Sequence, residues 1–172
     1  VRSMFYYGEM LSEGIAVDIN KKKAASYLKR AADNGFYHAM KNYGIMLIDG
    51  EGIPVDYDEG IRYLEMAAKK NLDDTYKVLY LALFKKNGYS LDIFFEAVRK
   101  YFLNPIPFNT EMKKALLYMK KSADLNDDKT CFFYGFMKYI GFGMEANREE
   151  AMKYIIKSYE NGYKEAFKIC GT

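Results

Sequence analysis

The stretch Gly50-Glu51-Gly52-Ile53-Pro54-Val55-Asp56 sets two glycines one residue apart and an aspartate four positions on. A Gly-x-Gly turn beside an acid can wrap backbone amides around a phosphate. The complete phosphate signatures, Gly-x-x-x-x-Gly-Lys-Ser/Thr and Gly-x-Gly-x-x-Gly, do not occur in the sequence. Ser26-Tyr27-Leu28-Lys29 matches the Ser-x-x-Lys in which a lysine activates a serine, without the Ser-Asp-Asn and Lys-Thr-Gly elements that accompany it. Asp124-Leu125-Asn126-Asp127-Asp128 starts like a calcium loop, but the sixth position is Lys129 and the twelfth is Gly135, so the oxygen shell cannot close. His38 is the only histidine, which excludes a two-histidine metal site, and no nucleophile is singled out beside it. Cys131 and Cys170 form neither a CxxC pair nor a disulfide framework. The expectation is a chain without catalysis, cofactor or metal.

Composition narrows the partners. The 172 residues make one ordinary domain, half apolar and 28% charged, which is the balance of a globular chain. Net charge is +3, from 26 basic and 23 acidic side chains, without the concentrated excess of a nucleic-acid binder. No apolar run approaches the ~20 residues of a membrane span. Cysteine usage points to a reducing compartment, by default the cytoplasm, and the start at Val1 without a signal-peptide pattern suggests a piece of a longer chain. Oligomeric state is not legible.

A repeat organises the chain. Shifted by 36 residues, Tyr7-Gly8 falls on Tyr43-Gly44, Gly14 on Gly50, Ala24 on Gly60, Tyr27-Leu28 on Tyr63-Leu64 and Ala31-Ala32 on Ala67-Ala68. The pattern returns as Tyr134-Gly135, Gly141-Phe142-Gly143, Asn147, Ala151, Tyr154, Ser158 and Gly162. The copies run over approximately 3–38, 39–74, 75–129 and 130–165, and 166–172 begins another, with Cys170-Gly171 at its Tyr-Gly position. A period of this length is the mark of a repeat array.

Each copy reads as two helices. Ala24, Tyr27, Leu28, Ala31 and Ala32 form an apolar stripe of helical period, repeated as Gly60/Tyr63/Leu64/Ala67/Ala68, Ala115/Tyr118/Met119/Ser122/Ala123 and Ala151/Tyr154/Ile155/Ser158/Tyr159. Small residues let helices approach closely, and Tyr159 breaks that rule, so looser or displaced packing is expected there. Asp56 with Glu59, and Asn147 with Glu150, have the spacing of a reciprocal capping box. Gly35, Gly162, Asn71 and Asn126 sit where a helix stops in a left-handed conformation. Three lysine pairs lie toward helix C-termini, whereas Lys21 to Lys23 opens a helix, where positive charge is mildly unfavourable.

The series Ala39-x-x-x-Tyr43-Gly44-x-x-Leu47-x-x-Gly50-x-Gly52-Ile53-x-x-Asp56-x-x-x-Gly60-x-x-Tyr63-x-x-x-Ala67-Ala68 resembles the Sel-1-like repeat, a relative of the tetratricopeptide repeat. The resemblance covers nearly the whole chain. It implies an all-α fold, a right-handed superhelix of helix pairs, serving as a scaffold or adaptor for other proteins. Such stacks expose an extended concave surface.

Copy three departs from this pattern. Leu79-Tyr80 replaces Tyr-Gly, Lys86 replaces the first loop glycine, and the second helix arrives 19 residues late. Within residues 87–110, Leu91, Phe94, Phe95, Val98, Tyr101 and Phe102 share one helical face, ended by Asn104-Pro105-Ile106-Pro107. An additional helix is expected there, packed on a neighbouring repeat or holding a partner.

By the same resemblance, the ligand-facing positions of tetratricopeptide first helices carry over, through the Tyr-Gly anchor, to Phe5, Lys41, Ile45, Leu81, Phe84, Phe132, Phe136 and Tyr139, with Arg2, Glu9, Ser12, His38, Ile48, Lys77 and Lys129 around them. Phe132, Phe136 and Tyr139 are aromatics at places where stacking of the repeat does not call for them, and either a protein or peptide partner or the rest of the chain would cover them. The sequence therefore reads as a non-catalytic protein-interaction scaffold; the alternative is the regulatory or targeting region of a larger enzyme.

Overall fold

The computed structural model of the chain describes residues 1–70, 74–89 and 109–164. The regular elements among them are α-helices: α1 (Arg2–Glu13), α2 (Lys21–Asp33), α3 (Tyr37–Asp49), α4 (Tyr57–Ala68), α5 (Thr75–Lys86), α6 (Thr110–Asp124), α7 (Asp128–Ile140) and α8 (Arg148–Glu160). Two compact units contain them, Val1–Ala82 and Leu83–Thr172, and α5 runs through the boundary. The face of the expected extra helix, Leu91 to Phe102, and the start of a fifth copy, 166–172, lie outside the described residues, as does Asn71.

Helices pair where a side chain is missing. A Cβ on Gly8 of α1 would lie 2.9 Å from Leu28 Cγ of α2, one on Gly44 of α3 would lie 3.0 Å from the Gly60 carbonyl of α4, and one on Gly135 of α7 would lie 2.9 Å from the Ala151 carbonyl of α8. These contacts leave no room for a larger residue on either side of the crossing. Beside each crossing the two motif tyrosines meet edge to face: Tyr7 with Tyr27 at 4.9 Å, Tyr43 with Tyr63 at 5.0 Å, and Tyr134 with Tyr154 at 4.8 Å. That geometry sets the positive ring edge against the negative face. The apolar stripes are buried as the spacing predicts, with Ala24, Leu64, Ala67, Ala115, Met119 and Ala151 fully inside.

Each second helix starts on a polar cap. Asn20, Asp56, Asn109 and Asn147 accept through their side chains from the amides of Lys23, Glu59, Met112 and Glu150. The reciprocal half of the capping box is absent. The Asp56 amide donates instead to the Leu47 carbonyl at 2.9 Å and the Asn147 amide to Lys138 at 3.1 Å, as Asn20 does to Leu11 at 2.8 Å. Glu59 pairs with Arg62 and Glu150 with Lys138. Tying the cap to the last turn of the preceding helix satisfies an otherwise orphaned carbonyl at a helix end.

Copy three makes this tie by another route. The Asn87 side chain donates to the Leu83 carbonyl at 2.8 Å and accepts from the Asn109 side chain at 2.8 Å. Glu111 accepts from Asn87 at 3.0 Å and from Lys86. Four polar side chains thus join the two ends of the insertion.

In the Gly50–Asp56 loop, Gly50 caps α3 at φ 72°, Ile53 packs against the core, and Asp56 caps α4. Gly52 has φ 74°, and a Cβ there would sit 2.7 Å from the Lys21 carbonyl oxygen. In copy one the same position is Ala16, held at φ 59°. Past the second helices, Gly35, Asn126 and Gly162 adopt φ of 84°, 70° and 108°. The lysine run at the start of α2 is neutralised at its first member, because Lys21 reaches Glu51 at 2.7 Å and Ser12 at 3.2 Å.

Successive copies are joined by a tyrosine hydroxyl. Tyr63 donates to Asp33 at 2.5 Å in the first unit, and Tyr154 donates to Asp124 at 2.5 Å in the second. Each aspartate also receives a lysine one turn earlier on its own helix, Lys29 at 2.7 Å and Lys120 at 2.9 Å. The bond from Lys29, then that from Tyr63, holds the Asp33 carboxyl below the usual range. Burial pushes the Asp124 carboxyl upward, but the bonds from Tyr154 and Lys120 outweigh it and the net direction is down. Tyr159 is 50% exposed, turned outward where Ala32 and Ala68 are buried.

Three outcomes follow from these contacts. Gly52→Ala should destabilise by about 2 kcal/mol, because φ is left-handed and the Lys21 backbone fills the space, whereas Ala16→Gly should stabilise by about 0.5 kcal/mol; equal melting temperatures for the two variants would contradict this. The Ser122 hydroxyl is buried without a hydrogen bond among the described residues, while Ser158, at the same repeat position, donates to the Asp128 carbonyl at 2.6 Å. Ser122→Ala should therefore raise, and Ser158→Ala lower, unfolding free energy by about 1 kcal/mol each in urea titration; the same sign for both would refute it. A depressed carboxylate stabilises above its unfolded pKa near ~4 and loses that contribution as pH falls through its folded pKa. The deficit of Asp33→Asn at neutral pH should shrink below pH ~4, and a deficit that stays constant would remove Asp33 from the tie.

Candidate functional site

The first helix of each copy carries the positions proposed for ligand contact. One position of that series is Phe5 in α1, Lys41 in α3 and Phe132 in α7. Phe5 is 7% exposed and Phe132 is 6% exposed. Each lies under the aromatic that follows the second helix of its own copy: Phe36 at 5.0 Å and 60° from Phe5, Tyr163 at 5.3 Å and 44° from Phe132. The covering residue is placed by the helix end itself. The Phe36 amide bonds back to the Ala31 carbonyl at 3.1 Å and the Tyr163 amide to Ser158 at 3.0 Å, closing the turn that brings an apolar side chain over the helix. Phe5 and Phe132 are thus interior supports and do not form surface anchors. Lys41, at the same position, directs its ammonium onto both Asp74 oxygens at 2.6 Å and is 21% exposed.

In the first unit, Ile45 and Leu81 are half-buried. Around them Asn42 donates to Glu9, and Ile48 is 5% exposed. His38 is exposed and lies 4.6 Å from the Tyr37 ring and 5.7 Å from Phe36. In the second unit, Phe84 is fully buried, which takes it out of the contact set too.

The remaining two residues stand differently. Phe136 is half-buried and lies nearly parallel to Phe132, at 6.4 Å and 19°. Tyr139, a turn later on α7, is 42% exposed, and the Arg148 guanidinium of α8 sits 5.4 Å from its ring centroid. That distance is within range of a cation–π contact. Sequence spacing placed Phe136 and Tyr139 on one face; it did not show Arg148, which becomes visible only once the end of α7 meets the start of α8. Copy one joins the same two positions by the Lys21–Ser12 hydrogen bond.

Among the described residues, the groups singled out by the motifs stand as follows. Burial pushes the Cys131 thiol up to about 11, which keeps it protonated, and it contacts the Ala123 carbonyl at 3.2 Å. Ser26 is exposed while Lys29 is engaged by Asp33, so the Ser-x-x-Lys pair is not coupled. Asp124 to Asp128 bracket the turn between α6 and α7, where the Asp127 side chain caps α7 by accepting from Thr130. Among the described residues no group of three or more histidine, cysteine, aspartate or glutamate side chains could hold a metal ion. Among them, too, no helix is long and apolar enough to cross a membrane.

Comparison with known proteins gives one family. The Sel1 repeat model matches residues 1–36, 38–72, 111–127 and 129–163. Similar solved structures include a Sel1 repeat protein from Oxalobacter formigenes, 22% identical with a TM-score of 0.73, in which 96% of this chain aligns with 60% of that one. A second is c5321, a protective antigen present in uropathogenic Escherichia coli strains and displaying an SLR fold, 20% identical with a TM-score of 0.50 over 96% of this chain and 39% of that one. This chain thus spans less than two thirds of either neighbour. No curated protein sequence matches it. The crossing glycines, cap ties and tyrosine pairs recur on three of the four matched segments, and the chain belongs to the Sel1 repeat family.

Proposed function

We propose that this protein is a non-catalytic scaffold that binds a protein or peptide partner on the first-helix face of its second unit, centred on Phe136 and Tyr139. The observation that carries the reading is the exposed Tyr139 ring held by Arg148 beside a half-buried Phe136 that rests on the interior Phe132. Aromatic side chains backed by packed neighbours lose little freedom on binding, which is why tyrosine and arginine dominate binding hot spots. The repeat itself does not require these side chains: the position of Phe136 is Glu9 in copy one, and that of Tyr139 is Ser12. Lys41, Ile45 and Leu81 supply further partly accessible positions in the first unit. Membership of a family whose members generally mediate protein interactions supports the same reading.

Phe136→Glu combined with Tyr139→Glu should weaken partner capture on the order of thirtyfold, about 2 kcal/mol, while helical circular dichroism and melting stay close to wild type. A photo-crosslinking benzoylphenylalanine replacing Tyr139 should form a discrete adduct in cell extract that the same group at Ser26, on the outer face of α2, does not form. Unchanged capture by the double variant, or identical adducts from both positions, would overturn the assignment. Loss of helical signal on Tyr139→Glu alone would show that this ring belongs to the core.

A further inference from the structure

Two residues of the second unit contradict the repeat at one place. At the position of Leu117 in α6, the other copies have Ser26, Arg62 and Lys153, all polar. Leu117 is 52% exposed. At the position of Lys138 in α7, the other copies have Leu11, Leu47 and Leu83, which are 5%, 6% and 2% exposed. The lysine therefore stands where the stack buries a leucine, and the leucine stands where it exposes a polar residue. One exchange replaces a buried leucine by a half-buried lysine paired with Glu150, and the other leaves an apolar side chain in water.

Both residues line the same hollow, a cavity of about 240 Å³ between α6, α7 and the loop after α7. Three lysines line it, Lys113, Lys120 and Lys138, together with the apolar Leu116, Leu117 and Met144. Lys120 meets Asp124 at 2.9 Å and Lys138 meets Glu150 at 3.2 Å, and both acids line the neighbouring hollow. Each of these ammoniums has three donors, so donors remain for a ligand. Lys113 makes no ion pair among the described residues. A cavity of this size is smaller than the ~300 Å³ at which drug-sized ligand sites begin, and it suits one or two side chains of a bound segment.

We propose that this hollow is a second docking site, for an acidic peptide segment that seats a glutamate or aspartate carboxylate among Lys113, Lys120 and Lys138 and lays an adjacent apolar residue on Leu117. Charge complementarity selects the occupant: three lysines and no acid line the hollow, two of them paired with acids outside it, and the leucine beside them rewards a segment that is both acidic and apolar. The site is independent of Phe136 and Tyr139.

The test uses the full chain and fluorescence anisotropy with a labelled peptide bearing glutamates on both sides of a single leucine. Saturable binding that weakens as salt rises is expected, with no binding of the same peptide carrying lysine for glutamate. Lys113→Glu and Leu117→Ser should each weaken binding about tenfold, about 1.4 kcal/mol. Lys138→Leu restores the residue of the other copies, so it should keep or raise the melting temperature while weakening binding about tenfold. Lys22→Glu, at the Lys113 position of copy one, should leave binding unchanged. Equal loss with Lys22→Glu, equal affinity for the lysine peptide, or no saturation at millimolar peptide would overturn the proposal. Displacement of the peptide by single-stranded DNA or phosphatidylserine vesicles, with tighter binding of either, would assign the hollow to phosphate instead and overturn it as well.

Discussion

In copies one, two and four the two helices cross where a glycine lacks its side chain, and much of each of these copies is arranged around that distance. At Gly44 a methyl group would reach the Gly60 carbonyl and the Leu64 side chain, and Gly8 and Gly135 stand equally close to Leu28 and Ile155. Once helices are that near, one tyrosine from each meets edge to face beside the crossing, and the cap amide of the second helix reaches a carbonyl at the end of the first. These contacts share one separation, so a larger residue at the crossing would disturb packing and hydrogen bonding together. Gly52 extends the same constraint to the neighbouring copy, since its missing side chain lets the loop touch the Lys21 backbone.

A repeat built this tightly assigns a structural task to most of its positions, which makes the exceptions informative. Asn87 and Asn109 are exceptions with a structural answer, because they restore across an insertion the tie that a single cap amide makes elsewhere. Tyr139 and Phe136 are exceptions that the crossing does not use. Leu117 and Lys138 are exceptions that work against burial, on two helices that face one hollow. Binding surfaces in repeat proteins are free to vary for this reason: the stack is held by small and apolar positions, and what lies between them can be spent on partners.

Helix number, helix ends and the apolar stripes of the described copies were legible in the sequence, because each depends on residues within one or two turns. Asp56 as a cap needs only Glu59 three positions later. The contact face was legible only in part. Phe5 and Phe132 have the right helical register, yet they are covered by Phe36 and Tyr163, residues 31 positions further on in each case. The covering follows from how a helix ends in space, and spacing along one helix carries no trace of it. The capping box failed for a similar reason, since the carbonyl that takes the Asp56 amide belongs to the preceding helix.

The sequence by itself determined the period, the two-helix unit and the family pattern, because glycine, alanine and cap residues act through local conformation and through the absence of atoms. The tertiary structure alone decided which aromatics are support and which are surface. It also brought Arg148 to Tyr139, Asp33 to Tyr63, and three lysines around Leu117. Those are pairings between helices, set by the distance and angle of the crossing, and a linear pattern holds the residues but not the angle.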